Sequence, residues 1–204
     1  MDWVHGGDEP IDDRARVIWA CRRTDEKGLN FAAAGNVSVR DKRSLWITPH
    51  TAILSEVQPN ELIWCDLETG VAHGTPHGDV RRRPSSMIDY HRAIYLANEQ
   101  IGAVVHAHSP YAITWSVGHD WIEPPTPPLR ELGRVPCWAE QDDEKQLIRR
   151  VAEAATEYNG VVLTGHGVLA WGGSIVEAVT RAEAIERAAQ LNILLQLLAA
   201  VTPH

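Results

Sequence analysis

Cysteine is scarce in this chain of 204 residues: Cys21, Cys65 and Cys137 are three in number and far apart. Such a set makes no disulfide framework. It predicts buried or incidental thiols in a reducing compartment, so the sequence reads as cytoplasmic. Long apolar runs are also lacking. No stretch of about 18 apolar residues occurs, which argues against a membrane span. The acidic opening MDWVHGGDEPIDD has none of the basic-then-apolar order of a secretion signal. Basic charge is in deficit too: 19 Lys and Arg against 27 Asp and Glu leave a formal net charge of -8. Nucleic-acid binding depends on neutralising phosphates, so no such partner is expected. One phenylalanine stands beside eight tryptophans, which we read as rigid anchors of the core and of subunit contacts.

What is present is ordinary for a globular protein. Hydrophobic residues make up 44% and charged residues 23%, and the length suits one domain spanning 1–204. Apolar residues at helical spacing predict a helix over 11–27, stopped by Gly28. Short β-like runs follow at 37–40, 45–48 and 62–65. Glycines at 70, 74 and 78 mark 68–83 as a loop. A helix is expected from Ser85 or Ser86, whose hydroxyls can cap it, to about 98. A buried strand over 101–105 and a helix over 110–117 come next. Five prolines exclude regular structure from 123–136. The remainder reads as a helix over 142–157, strands at 160–163 and 168–171, and a long helix over 175–200 capped by Ser174. Helices flanking short strands imply a three-layer α/β/α domain.

The histidines carry the chemistry. His106-Ala107-His108 follows the apolar run 102–105, and residues two apart on a strand point the same way, so both imidazoles can face one metal. His166, between Gly165 and Gly167, ends a second apolar run, 161–164. Three imidazoles delivered by two strand ends leave the open position a catalytic metal needs. Zinc, manganese, iron and cobalt all suit that donor set. The bland alternative is three polar residues at strand ends, and the other histidines lie mostly in expected loops.

With these motifs assembled, the chain resembles the class II aldolase/adducin family. The resemblance rests on Gly28-Leu29-Asn30, Ala34-Gly35-Asn36-Val37-Ser38-Val39-Arg40, Ile47-Thr48-Pro49, and Pro84-Ser85-Ser86 with His91 and Tyr95. It continues through Ala103-Val104-Val105-His106-Ala107-His108, Gly165-His166-Gly167 and Glu177-Ala178, and spans roughly 11–198. It implies a mostly antiparallel central sheet and a homotetramer with sites at subunit interfaces. It also implies a zinc-type lyase of carbohydrate metabolism, in which the metal stabilises an enediolate of a small hydroxy-carbonyl substrate. Gly35, Asn36, Ser85 and Ser86 match the positions that bind a substrate phosphate, and glycine beside hydroxyls at a helix start suits an anion. Read without the family, the two serines are plain helix caps.

Two departures stand out. Where the family places an acid–base carboxylate, this chain has Met87, which cannot transfer a proton. Asp89 lies about 200° around the helix and should face away. His91, one turn on from Met87, and Tyr90, Tyr111 or a metal-bound hydroxide are the substitute candidates. At the phosphate loop, His50 and Thr51 stand where a small hydroxyl residue and a glycine are usual. This crowds the cradle and suggests a carboxylate held by His50 with Arg40 or Arg83. Three functions follow: an aldolase-type lyase with its base replaced, a metal-dependent decarboxylase of a hydroxyaromatic or keto acid, and a non-catalytic adducin-like binding module.

Overall fold

The structure, a computed structural model, describes residues 12–79, 81–139 and 143–202. Asp12 accepts from the Arg14 amide and so caps α1 (Asp13–Glu26), satisfying one of the donors a first turn leaves free. Ile11, the first residue of the expected helix, lies outside the described residues. There follow β1 (Asn36–Asp41), β2 (Ser44–Ile47), β3 (Ile63–Asp66) and β4 (Ala72–Gly74), then α2 (Ile88–Ala97) and β5 (Ala103–Ala107). The second half contains α3 (Pro110–Ser116), β6 (Trp121–Ile122), β7 (Val135–Ala139), α4 (Glu144–Ala154), β8 (Gly160–Thr164), β9 (Gly167–Gly172) and α5 (Ile175–Val201).

The nine strands form one sheet in the order β4-β3-β2-β1-β5-β9-β8-β7-β6. Every neighbouring pair is antiparallel except β7 with β8. Two apolar layers sandwich it. On one face Val37, Val39, Val105 and Val168 pack under α1, α3 and α5; on the other Val104, Leu163, Leu169 and Trp171 pack under α2 and α4. The domain is thus three-layered, as expected. The centre of the sheet explains the stability of this plan. All five residues of β5 are buried, and such continuous burial on both faces is the signature of a strand covered on either side. Each fully buried Val contributes about 1.5–3 kcal/mol.

Several boundaries differ from the sequence expectation, each for a local reason. A short strand, β4, lies inside the predicted loop 68–83. Arg92 of α2 holds that loop by donating to the carbonyls of Leu67, at 2.8 Å, and Glu68. Helix α2 begins at Ile88, with Met87 as a cap that makes no side-chain bond, while the Ser85 hydroxyl accepts from the Met87 amide at 3.2 Å. The proline-rich segment is not irregular throughout. Pro127–Leu132 is a 3₁₀ turn with its prolines in the first turn, where no amide donor is needed. Pro136 sits in β7 opposite the two-residue β6. Asp142, the expected start of α4, lies outside the described residues, and Asp143 does the capping.

Tryptophan serves the core less than its abundance suggested. Trp171 is fully buried, but Trp121 and Trp138 stack against the guanidinium groups of Arg134 and Arg150 at 4.2 and 4.1 Å. Trp115 lies flat on His119 at 3.6 Å. Helix α5 has the length and apolarity of a membrane-crossing segment, which the sequence reading did not anticipate. Most of the apolar stretch itself is not buried, but the first half of α5 packs in the core, where Ile175, Ala178, Val179, Ala182, Ile185, Ala188 and Ala189 are buried. Beyond it Leu194, Leu195, Leu197, Leu198 and Val201 are exposed.

Candidate metal centre

Antiparallel pairing gathers four chain segments at one end of the sheet: the start of β1, the ends of β5 and β8, and the start of β9. Strand β5 runs two residues past its predicted end, so His106 lies inside it, opposite Asn36 of β1. Alternation along β5 turns His106 to the α2 face, since Val105 and Ala107 fill the opposite layer. His108 follows at the same phase. His166 occupies the β8–β9 turn, where its amide donates to the Leu163 carbonyl at 2.9 Å. The three rings meet edge to face, with centroids 4.9, 5.0 and 5.0 Å apart. One ligand nitrogen from each lies within 4.8 Å of the others.

The donor set fits a divalent ion. His106 Nδ1 lies 2.9 Å from the Val168 carbonyl oxygen, and an imidazole beside a carbonyl must donate there, which leaves Nε2 as a bare lone pair. His106 Nε2 and His108 Nε2 are 3.0 Å apart, close to the ~3.3 Å between two nitrogens that share a tetrahedral zinc. Burial first, then His166 and His108, hold the His106 imidazole well below the ordinary histidine range, and burial and His166 lower His108. All of this favours the neutral, metal-binding form.

Asn30, part of the opening motif but assigned no role from sequence, proves to be a support. Its Oδ1 accepts from the His108 amide at 3.1 Å. Gly35, with φ of 83°, is what allows Asn30 in: a β-carbon there would stand 2.3 Å from Asn30 Oδ1 and 2.9 Å from the His106 carbonyl oxygen. Gly167 likewise faces the Ala107 carbonyl, 2.6 Å from where its β-carbon would be. The signal in the sequence was the run Asn30 to Asn36 itself, but its purpose is a tertiary approach.

The other expected residues divide. Asn36 is buried beside His106, with Oδ1 lacking a partner among the described residues. Ser85 is buried and its amide donates to Thr48; Ser86 is exposed. Met87 is buried in the α2-side apolar layer. Asp89 is exposed and paired with Arg92 at 2.8 Å, away from the site as anticipated. Tyr111, on the first turn of α3, lines a separate cleft with Gly28, Leu29 and Arg187. Arg40 is not available to a substrate: its guanidinium donates to the carbonyls of Tyr95 and Glu99. His50, Thr51 and Arg83 share a cleft of ≈ 550 Å³.

His91 is fully buried, with Nδ1 2.7 Å from the Ser38 hydroxyl, which also meets Tyr95 Oη at 2.8 Å. Burial pushes its imidazole down to about 3, so it stays neutral at physiological pH. A base that weak is poorly matched to proton exchange near neutrality. The same shift makes the fold acid-sensitive. Above pH ~6.5 His91 is neutral folded or unfolded and exacts no penalty. As pH falls towards 3 only the unfolded chain takes up the proton, and about 2 kcal/mol is lost by pH 5. Urea unfolding in chelator at pH 7.5 and 5 should show a loss smaller by about 2 kcal/mol in His91→Gln than in the parent chain, the remainder coming from His106 and His108, which burial also lowers.

Comparison with known proteins places the chain. The model of the class II aldolase and adducin N-terminal domain matches residues 15–193. The chain belongs to the class II aldolase and adducin family. A 5-deoxy-D-ribulose 1-phosphate aldolase of Bacillus thuringiensis serovar kurstaki is 31% identical over 88% of this chain and 83% of its own length. A 3-oxo-tetronate 4-phosphate decarboxylase of Cupriavidus necator is 28% identical, covering 81% and 76%. The solved L-fuculose-1-phosphate aldolase of Thermus thermophilus superposes with a TM-score of 0.81 at 26% identity, over 94% of this chain and 97% of that one. The relatives' names are those of aldolases and a decarboxylase, and in this chain His106, His108 and His166 are brought together.

Proposed function

We propose that this class II aldolase family member is a divalent-metal lyase that cleaves a hydroxy-carbonyl compound, a sugar or sugar phosphate, with zinc as first choice of ion and manganese, iron or cobalt as substitutes. The reading is carried by the convergence of His106, His108 and His166, with the His106 tautomer set by the Val168 carbonyl. When bound, the ion supplies positive charge to the enediolate oxygens that develop as the carbon–carbon bond breaks. The chain's own groups do the rest. Val168 and Asn30 hold the segment that carries His106 and His108 in place, and Asn36, opposite His106, keeps a side-chain oxygen without a partner among the described residues. Met87 brings no proton-transfer group. The proton that a carbon-centred anion must recover therefore comes from water or from substrate hydroxyls.

Met87 also supports a second reading, decarboxylation of a hydroxyaromatic or keto acid, because that reaction makes its carbanion by loss of carbon dioxide and removes no proton from carbon. The two separate in one experiment. Zinc-loaded protein is given hydroxy-ketones and their phosphates in one series and keto or hydroxyaromatic acids in another, and aldehyde and carbon dioxide are assayed. Aldehyde release carries the first reading, carbon dioxide the second, and neither from a metal-loaded chain would leave an adducin-like binding module. We further propose a cytoplasmic homotetramer, supported by the three buried free thiols and the apolar end of α5.

A further inference from the structure

We propose that the cleft between the 49–57 loop and the 81–83 run of arginines takes a carboxylate at the end of the substrate remote from the metal, held by Arg83 and His50. This rests on the lyase reading above and names the substrate class for it: a hydroxy-carbonyl acid rather than a sugar phosphate.

The two walls of the cleft are tied together by backbone. The His50 amide donates to the Arg83 carbonyl at 3.0 Å, Pro49 bridges to Pro84, and the Ser85 amide donates to the Thr48 carbonyl at 3.1 Å. The same pairing joins the cleft to the metal centre, since Thr48 Oγ1 accepts from the amide of Val37, next to Asn36 and its partner His106. Charge in the cleft is unevenly matched. Arg82 is paired with Glu61 at 2.8 Å and Arg81 with Asp79 at 3.1 Å. Arg83 makes no ion pair or side-chain hydrogen bond with any described residue, and the His50 ring makes no hydrogen bond there either.

Some of the small donors that would embrace a tetrahedral phosphate are already engaged. Thr51, held at φ of 58°, turns its hydroxyl onto the His50 carbonyl at 2.7 Å. The amides of His50 and Ser85 are committed across the walls. What the cleft still offers is the guanidinium of Arg83 and the imidazole of His50, with the carboxylate of Glu56 on the same lining. A planar fork that makes two parallel bonds holds a carboxylate as well as it holds a phosphate, and titration with each separates the two. The cleft volume of ≈ 550 Å³ falls in the range of small-molecule sites.

The test uses zinc-loaded full chain and calorimetric titration with 5-hydroxy-4-oxopentanoate, which joins a hydroxy-ketone head to a terminal carboxylate, beside its uncharged amide and inorganic phosphate. The acid should bind about tenfold or more tighter than the amide. Arg83→Gln should abolish that preference, Arg83→Lys should restore only part of it, and Arg130→Gln, on the separate 3₁₀ turn, should leave it intact. Equal binding of acid and amide, a preference that survives Arg83→Gln, or phosphate displacing the acid at lower concentration than the acid's own Kd would each overturn the proposal. Metal content is measured on the same samples. A chain that holds zinc but shows no carboxylate preference sinks this inference alone, whereas a chain that holds no metal sinks the lyase reading first.

Discussion

His166→Ala should empty the metal centre while leaving the fold in place. One of three ligands disappears, and metal affinity is expected to fall by more than the ten- to hundredfold typical of losing a supporting residue. Lyase turnover should drop by about a hundredfold or more, because several kcal/mol of charge stabilisation leaves with the ion. The side chain stands in the β8–β9 turn and is only partly buried, so far-UV circular dichroism and the unfolding midpoint in chelator should stay near those of the parent chain. Elemental analysis after gel filtration is the measurement. A full equivalent of metal retained by the variant would mean that the cluster is not the site.

Gly35→Ala should be the most damaging change that touches no ligand. The backbone there is left-handed at φ of 83°, and a β-carbon would meet Asn30 and the His106 carbonyl at 2.3 and 2.9 Å. The conformational part costs about 1–2 kcal/mol. The collision adds to it because one of its partners is backbone, which cannot swing aside, so about 3 kcal/mol in all is expected. Gly28→Ala separates the two contributions, since Gly28 has φ of 65° with nothing within 4 Å of its would-be β-carbon, and should cost only the conformational part. Urea midpoints of the two variants give the comparison. Gly35→Ala should also weaken metal binding, because Asn30 can no longer hold the His108 amide. A Gly35→Ala chain no less stable than Gly28→Ala would contradict this geometry.

The two variants mark different kinds of information in the chain. His166 could be picked out from its place between two glycines after an apolar run, and His106 and His108 from their spacing, because strand alternation is a local rule. The elements around them were likewise legible, from the helix capped by Ser174 to the buried apolar strand of β5. Pro136 misled, because proline is excluded from a strand only where its missing donor would be needed, and β7 has just two residues of β6 on that side.

Sequence by itself determined the family, the three imidazoles and the layer plan, since these follow from motifs and from periods of two and 3.6 residues. Tertiary structure alone decided what surrounds them. It tied Arg40 to the carbonyls of Tyr95 and Glu99 and left Arg83 without an ion pair among the described residues, although both arginines looked equally available in the sequence. It buried His91 against Ser38, made it too weak a base for proton exchange near neutrality, and put Asn30 behind His108. The physical reason is common to Arg40, His91 and Asn30. Burial, hydrogen-bond partners and the proximity of charges are set by residues 53–78 positions away in the chain, and no local pattern records which of them will meet.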